Sequence, residues 1–211
     1  MTARSVSFAF LCEGSSDTGL IAHLETLLVY FGAQEATGMP DTRKGTIPAR
    51  LRQLLTEGTE AGIDMVFIHR DSDSPDREGR EREIRRGIEE SGFPHPFIPV
   101  IPVQETEAWL LLDEQAIRDV VACPKGKQPL KLPKPNAIEG TRNPKEILQK
   151  ALLAASRASG RRLKKEKNSF SRHRNVLLQR LDPFGAVRDL PSWQCLERDI
   201  KRALEQLENQ N

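Results

Sequence analysis

The sequence predicts an α/β fold, a parallel sheet flanked by helices, followed by a basic, helical C-terminal lobe. Two observations carry this expectation. Short apolar runs alternate with amphipathic helical segments up to about residue 113, the pattern of strands joined by helical crossovers. From about residue 122 that alternation gives way to a segment rich in proline and lysine, followed by helical periodicity. A chain of 211 residues is long enough to bury a substantial core. Residues 1–120 are therefore expected to form the sheet-bearing core and residues 121–211 a basic loop and helical lobe packed upon it.

In chain order, Ser5 to Leu11 is apolar throughout its end and reads as a buried strand. Leu20, Leu24, Leu27, Leu28 and Phe31 recur at helical spacing, which predicts a helix from Ser16 to Phe31 with Ser15 or Ser16 as N-cap. Thr46 to Thr56 is a second helix, with Pro48 in its first turn. Met65-Val66-Phe67-Ile68 is the continuous apolar run of a central parallel strand, Asp64 to His69. Asp76 to Glu90 is a charged helix, and Phe97 to Val103 a strand that Pro99 and Pro102 push toward an edge or a bulge. A helix begins at Glu105, and others are expected at Pro144 to Ala158, Ser169 to Arg180 and from Pro191 onward.

Charge is distributed unevenly. The net value is only +2, yet Val121 to Arg180 contains 16 Lys and Arg against three acidic residues. Such a basic segment suits a polyanion, DNA or RNA, with Lys164, Lys165, Lys167, Arg172 and Arg174 as candidate contacts; a solvated helical face is the alternative. Three widely spaced cysteines without a CxxC pair argue against a disulfide scaffold or a cysteine zinc site. No apolar run approaches the roughly 18 residues that a membrane span needs. A soluble, cytoplasmic protein without a membrane partner is expected.

Acidic residues follow each strand: Glu13 and Asp17 after the first, Asp71 and Asp73 after Asp64 to His69, and Glu105 and Glu107 after Phe97 to Val103. Taken singly they are helix caps or turn residues. Taken together they fall at the carboxyl ends of parallel strands, where such sheets bind ligands. Clustered carboxylates repel unless neutralised, and oxygen ligands select hard cations such as Mg²⁺ or Mn²⁺. The four histidines lack metal-site spacing and are read as structural or exposed.

Leu11-Cys12-Glu13-Gly14-Ser15-Ser16-Asp17 and Phe67-Ile68-His69-Arg70-Asp71-Ser72-Asp73 resemble the Glu-Gly and Asp-x-Asp signatures of the Toprim domain. That domain is the Rossmann-like catalytic unit of topoisomerases, bacterial primases and OLD-type nucleases. Glu105-Thr106-Glu107-Ala108-Trp109-Leu110-Leu111 is similar to a run in small standalone OLD-like bacterial proteins, which are encoded beside ABC-type ATPases and associated with phage defence. The resemblance implies a Mg²⁺- or Mn²⁺-dependent nuclease with an ATPase partner. In it Glu13 is metal ligand or general base, Asp71 and Asp73 are metal ligands, and Glu107, with Glu105 and Asp17, completes one or two ion sites. The lone tyrosine, Tyr30, falls in a core-facing helix, which disfavours topoisomerase strand passage. Haloacid-dehalogenase phosphatases and nucleotide-sugar transferases share an Asp-x-Asp but leave Glu13-Gly14 unexplained. A catalytically silent nucleic-acid-binding or regulatory subunit is the remaining alternative.

Overall fold

A computed structural model describes residues 4–57 and 62–209. Its centre is a sheet of four parallel strands in the order β2-β1-β3-β4: β1 Ser5–Leu11, β2 Glu35–Asp41, β3 Met65–His69 and β4 Phe97–Val100. The chain leaves β1 for one side to form β2, then crosses to the other side for β3 and β4. The point where that direction reverses lies between β1 and β3.

Side chains alternate across the strands, as pleating requires. Val6, Phe8, Phe10, Met65, Phe67, Ile98 and Val100 face one core; Ala9, Leu11, Val66 and Ile68 face the other. The second core is closed by α2 (Ile47–Thr56) and α3 (Glu78–Ser91). Their close approach depends on Gly87, where a Cβ would lie 2.7 Å from Ile47 Cγ2. The first core receives α1 (Ile21–Tyr30) and helices from the rest of the chain: α4 (Glu107–Leu110), α5 (Glu114–Val120), α6 (Pro144–Ser156), α8 (Phe170–Gln179) and α9 (Pro191–Glu208), whereas α7 (Gly160–Asn168) adds no residue to it. Leu148, Leu152, Leu178, Trp193 and Ile200 join the same cluster as Phe8 and Phe67, so the later helices complete the sheet's hydrophobic core.

Several elements depart from the sequence expectation. β2 was not anticipated, because Glu-Ala-Thr-Gly-Met-Pro-Asp lacks an apolar alternation. It is an edge strand, where Pro40 is tolerated. Gly38 is required there: a Cβ would lie 2.6 Å from Ile21 Cγ2 and closer still to the Phe8 ring. The helix expected from Ser16 is a 3-10 segment, Ser15–Leu20, before α1, and Gly14 rather than a serine precedes it, without a side-chain cap. β4 ends at Val100, and the helix expected from Glu105 starts two residues later and is broken into α4 and α5. Helix α7 is additional. Helix α2 forms where expected, with Pro48 in its first turn, and Thr46 caps it by accepting from the Ala49 N–H at 3.4 Å. Among the described residues, no helix is long and apolar enough to cross a membrane.

Candidate functional site

Parallel strands β1 and β3 end side by side, with Leu11 opposite Ile68. Their carboxyl ends therefore deliver Glu13 and Asp71 to the reversal point of the sheet, where doubly wound folds bind ligands. Alternation of the chain then sends neighbouring side chains to opposite flanks.

On the flank of α8, a cleft of about 400 Å³ is lined by Asp17, Asp71, Glu105, Glu107, Lys145 and Arg174, among others. Asp71 is fixed from the chain after β4. Its Oδ1 accepts from the Thr106 N–H at 2.9 Å and from the Thr106 hydroxyl at 3.0 Å. Because that hydroxyl donates to Asp71, the His69 Nε2–H donates to Thr106 Oγ1 at 3.0 Å. His69 is fully buried and its Nδ1 has no hydrogen-bond partner; it faces Asp17 Oδ2 at 4.0 Å. Burial pushes the His69 pKa down to about 4, so the ring is neutral at pH 7. Two acceptors thus face each other, an arrangement that a shared donor or cation would satisfy.

Asp17 and Glu107 are buried and bridged by Arg174, whose Nη2 lies 2.7 Å from Asp17 Oδ1 and whose Nε lies 3.0 Å from Glu107 Oε1. Its Nη1 donates to the Ser16 carbonyl at 2.7 Å. Burial opposes the charge on Arg174, but Glu107 and Asp17 outweigh it and hold its pKa above the ordinary value. Glu105 accepts from the Lys145 N–H at 3.1 Å, in the first turn of α6.

The other flank, toward α3, holds Glu13 and Asp73. Glu13 pairs with Arg70 at 3.0 Å, and Arg70 also reaches Glu83 at 3.2 Å. Desolvation raises the Glu13 pKa, opposed by Arg70 and reinforced by Asp73. Asp73 departs from its expected partnership with Asp71. Its backbone adopts φ 54°, which turns the side chain outward to Arg80 at 2.6 Å, and it remains 66 % exposed. A left-handed backbone at a non-glycine residue is a strained position that needs surrounding support; the Asp73 N–H supplies part, donating to the Gln104 carbonyl at 2.9 Å.

Of the expected residues, Asp17, Asp71, Glu105 and Glu107 therefore share one cleft, with Glu13 beside them across the strand ends and Asp73 apart. Arg174 is not a surface cation, as its place in the basic segment had suggested: it is 7 % exposed and engaged by carboxylates. Lys164, Lys165, Lys167 and Arg172 are exposed, the first three on α7, which buries no residue. His69 and Thr106 were missed. A polar residue closing the apolar run of β3 was the available signal for His69; its partner lies 37 residues away.

A hard cation fits the donor set in kind. Among the described residues, no three Asp, Glu, His or Cys side chains stand ready as a metal-holding group, because arginines hold most of the acids. Glu105 and the Asp71 carboxylate have no arginine on their side-chain oxygens among the described contacts, Arg80 reaching only the Asp71 backbone carbonyl at 3.0 Å. The Asp71 carboxylate is the one crowded by other acids. Burial pushes its carboxyl up to about 7, with Glu107, Asp17 and Glu13 adding to the rise and the Thr106 hydrogen bond opposing it. A divalent ion is what would relieve such crowding.

That raised pKa has a consequence for stability. The native state keeps a proton that the unfolded chain releases near pH 3.8, so the associated stability is complete below that pH and lost as pH rises through about 7. In a chelating buffer, Asp71→Asn preserves an acceptor for Thr106 and removes the charge. It should be more stable than wild type at pH 8, by on the order of 1–3 kcal/mol, and no more stable at pH 4. Urea denaturation at both pH values measures this.

A family model described as a domain of unknown function (DUF4276) matches residues 12–201. No curated protein and no solved structure matches the chain.

Proposed function

The chain belongs to the family described as a domain of unknown function (DUF4276), and we propose that it is a Toprim-like, divalent-metal-dependent nuclease that hydrolyses nucleic-acid phosphodiester bonds. One observation carries this reading: carboxylates from three separate chain segments gather at the reversal point of a parallel sheet around the desolvated Asp71. Asp71, Asp17 and Glu107, with Glu105 and Glu13 beside them, would hold Mg²⁺ or Mn²⁺. When bound, the ion polarises the scissile phosphate and lowers the pKa of an attacking water.

The chain's own groups do the rest. His69 and Thr106 lock the Asp71 carboxylate in one orientation, which a ligand or base needs if geometry is to be retained through turnover. Glu13, whose pKa is raised by desolvation and whose side chain is 34 % exposed, is suited to accept a proton from water at the cleft edge. Helix α7 presents Arg161, Arg162, Lys164, Lys165 and Lys167 to solvent and would carry the phosphate backbone. From the resemblance alone we further propose an ABC-type ATPase partner and a role in anti-phage defence.

A second reading, a silent nucleic-acid-binding or regulatory subunit, is favoured by the arginines that already neutralise Asp17, Glu107, Glu13 and Asp73. Cleavage assays separate the two. Purified protein, alone and with an ATPase encoded beside it, should cut DNA or RNA with Mg²⁺ or Mn²⁺ and stop on chelation. Binding without metal-dependent cleavage under both conditions would favour the silent reading.

The basic face makes its own prediction. Reversing Lys164 and Lys165 to Glu should lower nucleic-acid affinity about tenfold or more and flatten its salt dependence by about two units of log–log slope, evenly across sequences. Fluorescence anisotropy over a salt series tests this; unchanged affinity and slope would make α7 a solvated face only.

A further inference from the structure

We propose that Arg174 is an internal counter-ion that competes with the divalent cation for Asp17 and Glu107, so that the cleft loads metal only as the guanidinium withdraws. This rests on the metal-dependent reading above and adds a control to it. Arg174 comes from α8, far in sequence from both acids, and is 7 % exposed. Its planar fork spends one N–H on Asp17 Oδ1, one on Glu107 Oε1 and one on the Ser16 carbonyl.

The cleft is thereby divided. Asp17 and Glu107 are neutralised from within, whereas the Asp71 carboxylate has only Thr106 and His69 as described partners. A carboxylate cannot bind a divalent ion beside a guanidinium without setting the two cations against each other. A second feature of the same cleft points to a ligand: fully buried His69 Nδ1, without a hydrogen-bond partner, faces Asp17 Oδ2, the oxygen that Arg174 leaves untouched.

The same geometry names what draws Arg174 away. A phosphodiester offers an arginine fork paired oxygens of the kind it finds in carboxylates. Arg174 already lines the cleft with Ser171, Asn175 and Lys145, and α8 follows directly on the basic α7. Backbone phosphate taking Arg174 would release two acids to the ion, so nucleic acid and metal should strengthen each other's binding, reciprocally.

Mn²⁺ titration followed by electron paramagnetic resonance tests the competition without relying on turnover. Arg174→Gln should bind Mn²⁺ about tenfold tighter than wild type and gain more thermal stability on adding Mn²⁺. A purely structural arginine would give the opposite, since its loss would loosen the site. If Arg174→Gln does not fold in chelator, Arg174→Lys carries the test: it keeps the charge but cannot fork between both acids, and should bind about threefold tighter. Affinity equal to or below that of wild type, in whichever variant folds, overturns the competition while leaving the metal reading intact. Absence of Mn²⁺ binding in wild type and variants alike overturns both.

Discussion

Asp71→Asn is expected to reduce metal-dependent cleavage by about 10³-fold or more, with the fold retained. The expectation follows from its position. Asp71 follows the central strand β3 by two residues, lines the acidic cleft, and has its carboxylate oriented by Thr106 rather than neutralised by an arginine. Losing a metal ligand removes several kcal/mol of transition-state stabilisation, and each ~1.4 kcal/mol is a factor of ten in rate. Folding should survive because Asn keeps an acceptor for Thr106 and relieves repulsion from Glu107, Asp17 and Glu13. Asp73→Asn provides the contrast. Its side chain is 66 % exposed and paired with Arg80, so it should cost less than about tenfold. Single-turnover cleavage of a labelled substrate compares them; equal loss in the two variants would mean that the cleft residues do not define the catalytic centre.

The largest effect on stability is expected from Trp109→Ala. Trp109 lies in α4 and is 1 % exposed, packed edge-to-face on Trp193 of α9 with centroids 4.9 Å apart. Its Nε1–H donates to Ser192 Oγ at 3.0 Å, so truncation leaves both a void and an unpaired buried hydroxyl. A loss of about 3–5 kcal/mol is expected, measured by urea denaturation. Glu107 sits two residues earlier in the same short helix, so whatever fraction remains folded should also bind metal more weakly. A loss below ~1 kcal/mol would show that the α4–α9 contact does not anchor this part of the site.

What could be read from the sequence was what local pattern encodes. The apolar runs of β1 and β3, the Leu spacing of α1, and Pro99 marking β4 as an edge all reflect burial or backbone chemistry within a few residues. The acids were legible for the same reason: each follows a strand, and parallel strands share one end. β2 escaped because an edge strand made of Glu, Thr, Gly and Pro needs little apolar character; its place is set by Gly38 lying against Phe8 and Ile21. Helix α7 escaped because Arg-Arg-Leu-Lys-Lys-Glu-Lys-Asn carries a single apolar residue and buries none. The pairing of Arg174 with Asp17 spans 157 positions, and no periodicity reports such a contact. Nor could spacing tell that Asp71 and Asp73 diverge, since that depends on the left-handed backbone at Asp73.

Asp71 is proposed to lie at the heart of a divalent-cation site. The most direct measurement is a crystal structure soaked in Mn²⁺, with anomalous scattering to locate the ion. An anomalous peak is expected in the acidic cleft about 2.1 Å from an Asp71 carboxylate oxygen, with Asp17 or Glu107 as a further ligand and Arg174 turned away from it. A crystal at saturating Mn²⁺ with no peak in that cleft, Asp71 still held by Thr106 and Arg174 still bridging Asp17 and Glu107, would contradict it.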